Sequence, residues 1–293
     1  MDRCDFLPVS AEEMHERGWW WYDALVVGGD AYVDHPSFGT AVISRVLEAE
    51  GLRVAVLAQP DWHDAEAFRA MGRPRLGVFI GAGNLDSMVA HYTAAKRRRS
   101  EDFYSPGKRT GCRPDRAAIV YCNRAREAFG PDVPIILGSL EASLRRFAHY
   151  DYWDDSVRRA ILFDAPADLL VYGMGEAATI EIAHRLKKKQ SVRTMTDIPG
   201  TGYITRDPSV CKFDHITLPS YEDVRDDKRL YAEATRTEYA EHDPVRGRAM
   251  IQPCEGRYLV INPPAMPLDT KELDRVADLP YTREWHPMYE PLG

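Results

Sequence analysis

A chain of 293 residues with 44% hydrophobic and 28% charged side chains has the composition of an ordinary globular protein with room for one or two domains. Its 38 basic and 45 acidic residues give a formal net charge of -7, which excludes a globally basic nucleic-acid or membrane-surface binder and leaves only a local role of that kind. No apolar run approaches the ~18–20 residues of a membrane span, and Glu12, Glu13 and Glu16 fall where a secretory signal would be apolar, so a cytoplasmic location is expected.

Residues 1–22 form a preamble in which Ser10 and Glu13 make a capping box that starts a short helix, and Trp19-Trp20-Trp21-Tyr22 is expected to pack on the body of the protein. Five short apolar runs then recur, Ala24–Val27, Val54–Ala58, Leu76–Ile80, Ile135–Leu137 and Leu169–Tyr172, with helical patterns between them. One such pattern places Phe38, Val42 and Val46 on a single helix face. Alternating strand and helix predicts an α/β fold, a parallel sheet with right-handed crossovers in a flavodoxin-like order, spanning residues 23–190 as a Rossmann-like domain.

Between the third and fourth runs lies a long excursion, residues 82–132, with helices predicted over Asn84–Ala95 and Asp115–Phe129. Its loop is basic: Lys96, Arg97, Arg98, Arg99, Lys108, Arg109, Arg113 and Arg116 stand against Glu101, Asp102 and Asp115. Such a loop can hold RNA phosphates or an acidic partner, or be a solvated or intramolecular docking surface. After a helix around Glu176–Lys189, residues 191–293 read as a mixed extension. Short β pieces such as Tyr203-Ile204 and Tyr258–Ile261 flank a charged helix over Tyr221–Glu241, and a Pro-rich tail without a core follows.

Four of the five strands end in glycine-bearing turns: Gly28-Gly29-Asp30, Gly81-Ala82-Gly83-Asn84, Gly138-Ser139-Leu140-Glu141 and Gly173-Met174-Gly175-Glu176. Parallel strands bring these turns to one edge, where α/β sheets bind ligands. None matches the dinucleotide fingerprint or a P-loop. Candidate crevice residues are therefore Asp30, Tyr32, His35, Asn84, Ser139, Glu141 and Glu176, joined by Arg145, Arg146, His149 and Asp151 from the polar stretch after the fourth strand. Arginine there suits bidentate recognition of a carboxylate or phosphate. The competing structural reading makes Asp34 or His35 a helix cap with Pro36 at the first turn, and starts a helix near His149–Asp155, with Asp154 or Asp155 as its cap. No catalytic residue can be assigned. The cysteines Cys4, Cys112, Cys122, Cys211 and Cys254 show neither a disulfide framework nor metal-ligand spacing, so no metal site is expected.

Several longer motifs carry a resemblance. Gly29 to Gly39, Ala58-Gln59-Pro60-Asp61-Trp62, Ala82 to Met88, Gly138 to Arg146 and His149 to Trp153, with Asn262-Pro263-Pro264, Leu279-Pro280-Tyr281 and His286-Pro287, resemble the N-terminal region of YgiQ-type radical SAM proteins over nearly the whole chain. One departure is Gly138-Ser139, where that family commonly has two glycines. The resemblance implies a cobalamin-binding-domain-like α/β module ahead of a radical SAM barrel, with residues 191–293 leading toward that barrel. It places the Cys-x-x-x-Cys-x-x-Cys motif, its [4Fe–4S] cluster and S-adenosylmethionine beyond this chain, which by itself is then a substrate-covering domain without catalytic competence. His35 lies four residues before Gly39, which departs from the Asp-x-His-x-x-Gly of cobalamin-ligating turns and argues against a bound corrinoid. The alternatives are a stand-alone module for a small anionic ligand or RNA, and a structural domain that docks on a separate catalytic chain.

Overall fold

The computed structural model describes residues 5–292; Cys4 and the first residues of the preamble lie outside them. Helix α1 (Ala11–Glu16) begins at the expected cap, where Ser10 Oγ accepts from the Glu13 amide at 3.3 Å and Glu13 Oε2 accepts from the Val9 amide at 3.0 Å. The α/β core then alternates: β1 (Ala24–Gly28), α2 (Gly39–Ala49), β2 (Val54–Ala58), α3 (Glu66–Ala70), β3 (Gly77–Ile80), α4 (Ser87–His91), α5 (Ala117–Phe129), β4 (Ile135–Leu137) and α6 (Ser139–Leu144). A small hairpin, β5 (His149–Asp151) and β6 (Ser156–Arg158), precedes β7 (Leu169–Val171) and α7 (Glu176–Lys187). The remainder contributes β8 (Thr201–Thr205), β9 (His215–Thr217), α8 (Tyr221–Asp226), α9 (Lys228–Ala240), β10 (Ala249–Cys254), β11 (Arg257–Ile261) and α10 (Thr270–Ala277).

Nine strands form one sheet in the order β2-β1-β3-β4-β7-β8-β11-β10-β9. The contacts from β2 through β7 are all parallel. Strand β8 is antiparallel to both β7 and β11, β11 is antiparallel to β10, and β9 lies parallel to β10. The extension predicted after residue 190 therefore continues the same sheet. Successive residues of a strand face opposite sides: Leu25 and Val27 pack with Phe68 of α3 and Tyr121 of α5, whereas Ala24 and Val26 pack with Leu47 of α2 and Ile182 of α7. Helices thus cover both faces, which is why the central runs are apolar throughout. No helix among the described residues is long and apolar enough to cross a membrane.

Several predicted elements differ from those observed. The helix expected over Asn84–Ala95 shrinks to α4, because Tyr92 is extended and the chain turns back, with Thr93 N donating to Arg97 O and Arg99 N to His91 O at 2.8 Å each. The helix expected over Tyr221–Glu241 divides at Asp227, whose carboxylate accepts from the Arg229 amide at 2.7 Å and recaps the chain as α9. Residues 149–158 form a hairpin instead of a helix start: Asp151 Oδ1 gathers the Trp153 and Asp154 amides into a turn, and Asp155 adopts a left-handed φ of 50°. Neither Asp34 nor His35 caps α2, whose first residue is Gly39; Asp34 is buried against Arg45 instead. Of the tryptophan run, Trp19 packs on the core, Trp21 stacks between Arg53 and Arg75, and Trp20 is 80% exposed. The Pro-rich tail packs back on the first turn, where His286 N donates to Tyr32 O at 3.0 Å and Trp285 bridges to Val33.

Candidate functional site

The carboxyl ends of β1, β3, β4 and β7 open on a cleft of about 340 Å³, roofed by α2 and α7. Val26, Phe79, Ile136 and Val171 form its floor because they are the strand residues on the α2 and α7 side, and Val42 and Ile43 of α2 supply the wall. Polar groups stand at the rim: Ser37, Thr40, Ser139, Glu176 and, deeper, Thr179. The turns are held in close contact. A Cβ on Gly29 would lie 1.9 Å from the Ala82 carbonyl oxygen, and one on Gly83, at a φ of 111°, would lie 2.2 Å from Asp30 Oδ1, so only glycine fits at either place. Ser139 takes a left-handed φ of 73° at the start of α6, where its Oγ accepts from the Ala82 amide at 3.0 Å.

Of the residues singled out from the sequence, Ser139 and Glu176 line the cleft. Asn84 braces its rim, with Nδ2 donating to the Ser37 carbonyl at 3.0 Å and Oδ1 accepting from the Gly39 amide at 3.3 Å. Asp30 lies behind the rim, buried and ion-paired with Arg113 at 2.7 Å while accepting from the Asn84 amide at 2.7 Å. Burial pushes its carboxyl up and the Arg113 charge pulls it back. Arg113 is wholly buried and also holds Asp102 at 2.9 Å, so this member of the basic loop clamps the 82–132 excursion to the sheet edge. His35 turns its Nδ1 to Ser37 Oγ at 2.6 Å, and Tyr32 is buried against His286 with ring centroids 5.8 Å apart.

The polar stretch after β4 is mostly structural. Glu141 is fully buried, and its oxygens accept from the Ser87 amide at 2.8 Å and the Ala118 amide at 3.0 Å, which caps α4 and α5 together. Burial raises its carboxyl, and the hydrogen bonds from Ser87 and Ala118 oppose the rise. Arg145 is paired with Asp86. Arg146 donates to the Ser143 carbonyl at 2.6 Å, contacts His242 Nε2 at 2.5 Å, and lies over the Tyr172 and Phe147 rings. Asp151 pairs with Arg116 at 3.0 Å. His149 donates Nδ1–H to the Phe147 carbonyl at 3.0 Å, and burial pushes its imidazole down to about 4. None of these five side chains lines the cleft. The strand-borne floor was recoverable from the alternation within the apolar runs, because Val26, Phe79, Ile136 and Val171 share one sheet face. Thr40 and Thr179, at helix positions without a motif, carried no such signal.

Lys96, Arg97, Arg98 and Arg99 remain exposed, beside a cluster in which the Tyr92 and Trp153 rings lie 5.1 Å apart. Among the described residues no group of three or more His, Cys, Asp or Glu side chains is placed to hold a metal ion. Cys112, Cys122, Cys211 and Cys254 are all free; burial raises the Cys122 thiol and pushes that of Cys254 up to about 12. Thiols dispersed in this way do not fit an iron–sulfur cluster.

A family model described as Radical SAM N-terminal matches residues 6–292. The chain belongs to the Radical SAM N-terminal family. UPF0313 proteins of Clostridium botulinum and Clostridium perfringens are 53% and 52% identical to this Radical SAM N-terminal chain over all 293 residues. The chain spans about half the length of these curated relatives, 46% and 44% respectively, so it corresponds to the N-terminal part of a longer radical SAM protein. Among solved structures, the radical S-adenosylmethionine methyltransferase TsrM of Kitasatospora setae, determined with tryptophan substrate and an S-adenosylmethionine analogue bound, aligns with 61% of this chain and 28% of its own, at 20% identity and a TM-score of 0.38. A second structure of that enzyme, with cobalamin and a [4Fe–4S] cluster bound, aligns with a TM-score of 0.37.

Proposed function

We propose that this chain is the ligand-covering N-terminal domain of a radical SAM protein, and that its glycine-edged cleft holds a small molecule against the rest of that protein. The observation that carries the reading is the cleft itself, sited where the parallel strands end and their crossovers part, which is where α/β sheets place ligands. The parallel order β2-β1-β3-β4-β7 supports a flavodoxin-like, cobalamin-binding-domain-like description of residues 23–190, with residues 191–293 extending the sheet and leading toward the barrel. Leu140, Leu144 and Met174, on the turns and helix at this same edge, are 43%, 60% and 53% exposed, an apolar rim suited to being covered in cis.

On this reading the family's cluster and S-adenosylmethionine belong to the remainder of the longer protein, where the cluster supplies the electron for radical formation. This chain's own residues bind and orient. The strand floor excludes water, Asn84 and the Asp30–Arg113–Asp102 clamp fix the rim, and Ser139 and Glu176 present polar groups to what lies inside. Among the described residues no Lys, Arg or His side chain lines the cleft, so an anion there would rest on the helix starts of α2 and α7, and His35 bonded to Ser37 is not presented as a ligand for cobalt.

Gly39→Trp provides the test. Gly39 lines the cleft at the first position of α2, and a Cβ there would meet nothing within 4 Å, so a side chain can start at this point and a bulky indole is chosen to obstruct the mouth. In the longer protein, purified anaerobically, a small molecule seen by mass spectrometry should accompany the parent and be lost from the variant. Equal retention by both would overturn the reading.

A further inference from the structure

Two hydroxyls of the cleft are left without partners. Thr179 of α7 is 2% exposed yet lines the cleft; its hydroxyl makes no hydrogen bond among the described residues, and its Oγ1 keeps open surface. Thr40, in the first turn of α2, lines the cleft in the same unpartnered state. Other helix hydroxyls of this chain behave differently: those of Ser44 and Thr237 donate to carbonyls one turn earlier, at 2.6 and 3.0 Å. Thr40 has no earlier helical turn to donate to, and the Gly175 carbonyl, four residues before Thr179, is taken by the Thr179 amide at 2.9 Å. Glycine leaves space beside both hydroxyls, since a Cβ on Gly175 would lie 3.9 Å from Thr179 Oγ1 and one on Gly28 would lie 2.5 Å from Thr40 Oγ1. Both helices also start without a side-chain cap, and the Glu176, Ala177 and Ala178 amides have no acceptor among the described residues. Donors left unmatched at one cleft call for an acceptor oxygen. Glu176, the one charged residue of the lining, decides the charge of that acceptor. Each helix start carries about half a positive charge, so one carboxylate at the start of α7 leaves the mouth close to neutral. The Glu176 Oε2 atom is itself closed off inside the protein, where its charge acts on the buried Tyr281 hydroxyl.

We infer that the cleft takes a small uncharged molecule with an apolar body and a carbonyl head, the body lying on the strand floor of Val26, Phe79, Ile136 and Val171 and the carbonyl oxygen accepting from the Thr179 and Thr40 hydroxyls. The inference rests on the crevice reading given above and adds the ligand's chemical class. A charged head of either sign is disfavoured, because an ion entering apolar surroundings loses its hydration and meets no full counter-charge that offsets both helix starts and Glu176.

Calorimetric titration of the 293-residue chain with 4-phenylbutan-2-one, butylbenzene, 3-phenylpropanoate and 3-phenylpropylamine separates the possibilities, since all share a phenylethyl body. The ketone should bind about tenfold or more tighter than either charged probe. Thr179→Val keeps the branched shape of the side chain and removes the hydroxyl. It should weaken the ketone about fivefold and leave butylbenzene within about twofold of its parent affinity, which also shows that the variant is folded. Gly39→Trp should abolish binding of both. Tightest binding by the carboxylate or the amine, lost in Gly39→Trp, would overturn the ligand class and leave the crevice reading standing; so would a ketone affinity that falls no further than that of butylbenzene in Thr179→Val. Failure of every probe to bind the parent chain, or binding untouched by Gly39→Trp, would overturn the crevice reading together with the inference.

Discussion

Arg113→Met removes the cation from the clamp behind the crevice. In the parent, the guanidinium donates to Asp30 Oδ1 at 2.7 Å and, through Nε and Nη2, to Asp102 at 2.9–3.2 Å, and all three side chains are buried. The variant leaves Asp30 with the Asn84 amide, and Asp102 with the Tyr104 amide and the Ser105 hydroxyl. Two buried carboxylates then face each other without a counter-charge, and breaking a buried pair from one side costs about 3–5 kcal/mol. For a chain of this size that is roughly 6 °C or more in Tm. The deficit has a pH signature. Burial already raises the Asp30 carboxyl, and loss of Arg113 raises it further, so the folded state takes up a proton more readily than the unfolded one. Stability of the variant therefore recovers as pH falls toward 5 and is lowest above the raised value. Thermal melts at pH 5 and pH 7.5 check both parts. A loss under about 1 kcal/mol at pH 7.5, or a deficit that widens at pH 5, would refute the reasoning.

Other variants address neighbouring features. His149, held down to about 4 by burial, contributes stability that is complete above the ordinary histidine range and lost as pH falls from about 6.5 to about 4; denaturant melts across that window should show a loss on the order of 3 kcal/mol that His149→Asn flattens. Glu141→Ala strands the Ser87 and Ala118 amides in the interior and should cost about 2–4 kcal/mol by denaturant unfolding, with Glu141→Gln milder because its amide oxygen still accepts. Ser139 balances a left-handed backbone against one hydrogen bond. Ser139→Gly should therefore be near neutral in the same assay and Ser139→Ala destabilising by about 1 kcal/mol.

The parallel core was legible because its strands are buried on both faces and read as continuous apolar runs bounded by glycine turns; Ala24–Gly28 and Ile135–Leu137 are examples. The turns themselves were legible for the same reason. The excursion was not, because its geometry depends on a long-range ion pair: nothing local distinguishes Arg113, wholly buried, from Arg97 or Arg99, which are exposed. The stretch after β4 misled in a related way. Glu141, Arg145 and Asp151 carry the residue types of a binding wall, yet they are consumed in capping two helices and pairing with Asp86 and Arg116. Glu176 differs from them in that the fold brings it to the cleft.

Hydrogen exchange, compared between the 293-residue chain and the longer protein, tests most directly whether the crevice edge faces the rest of the molecule. The turns at 28–37, 81–84, 138–141 and 173–176 should gain protection in the longer protein, while the loops around Asp23, Arg53 and Arg75 at the opposite edge stay unchanged. Protection confined to that opposite edge, with the crevice turns exchanging as in the isolated chain, would contradict the account.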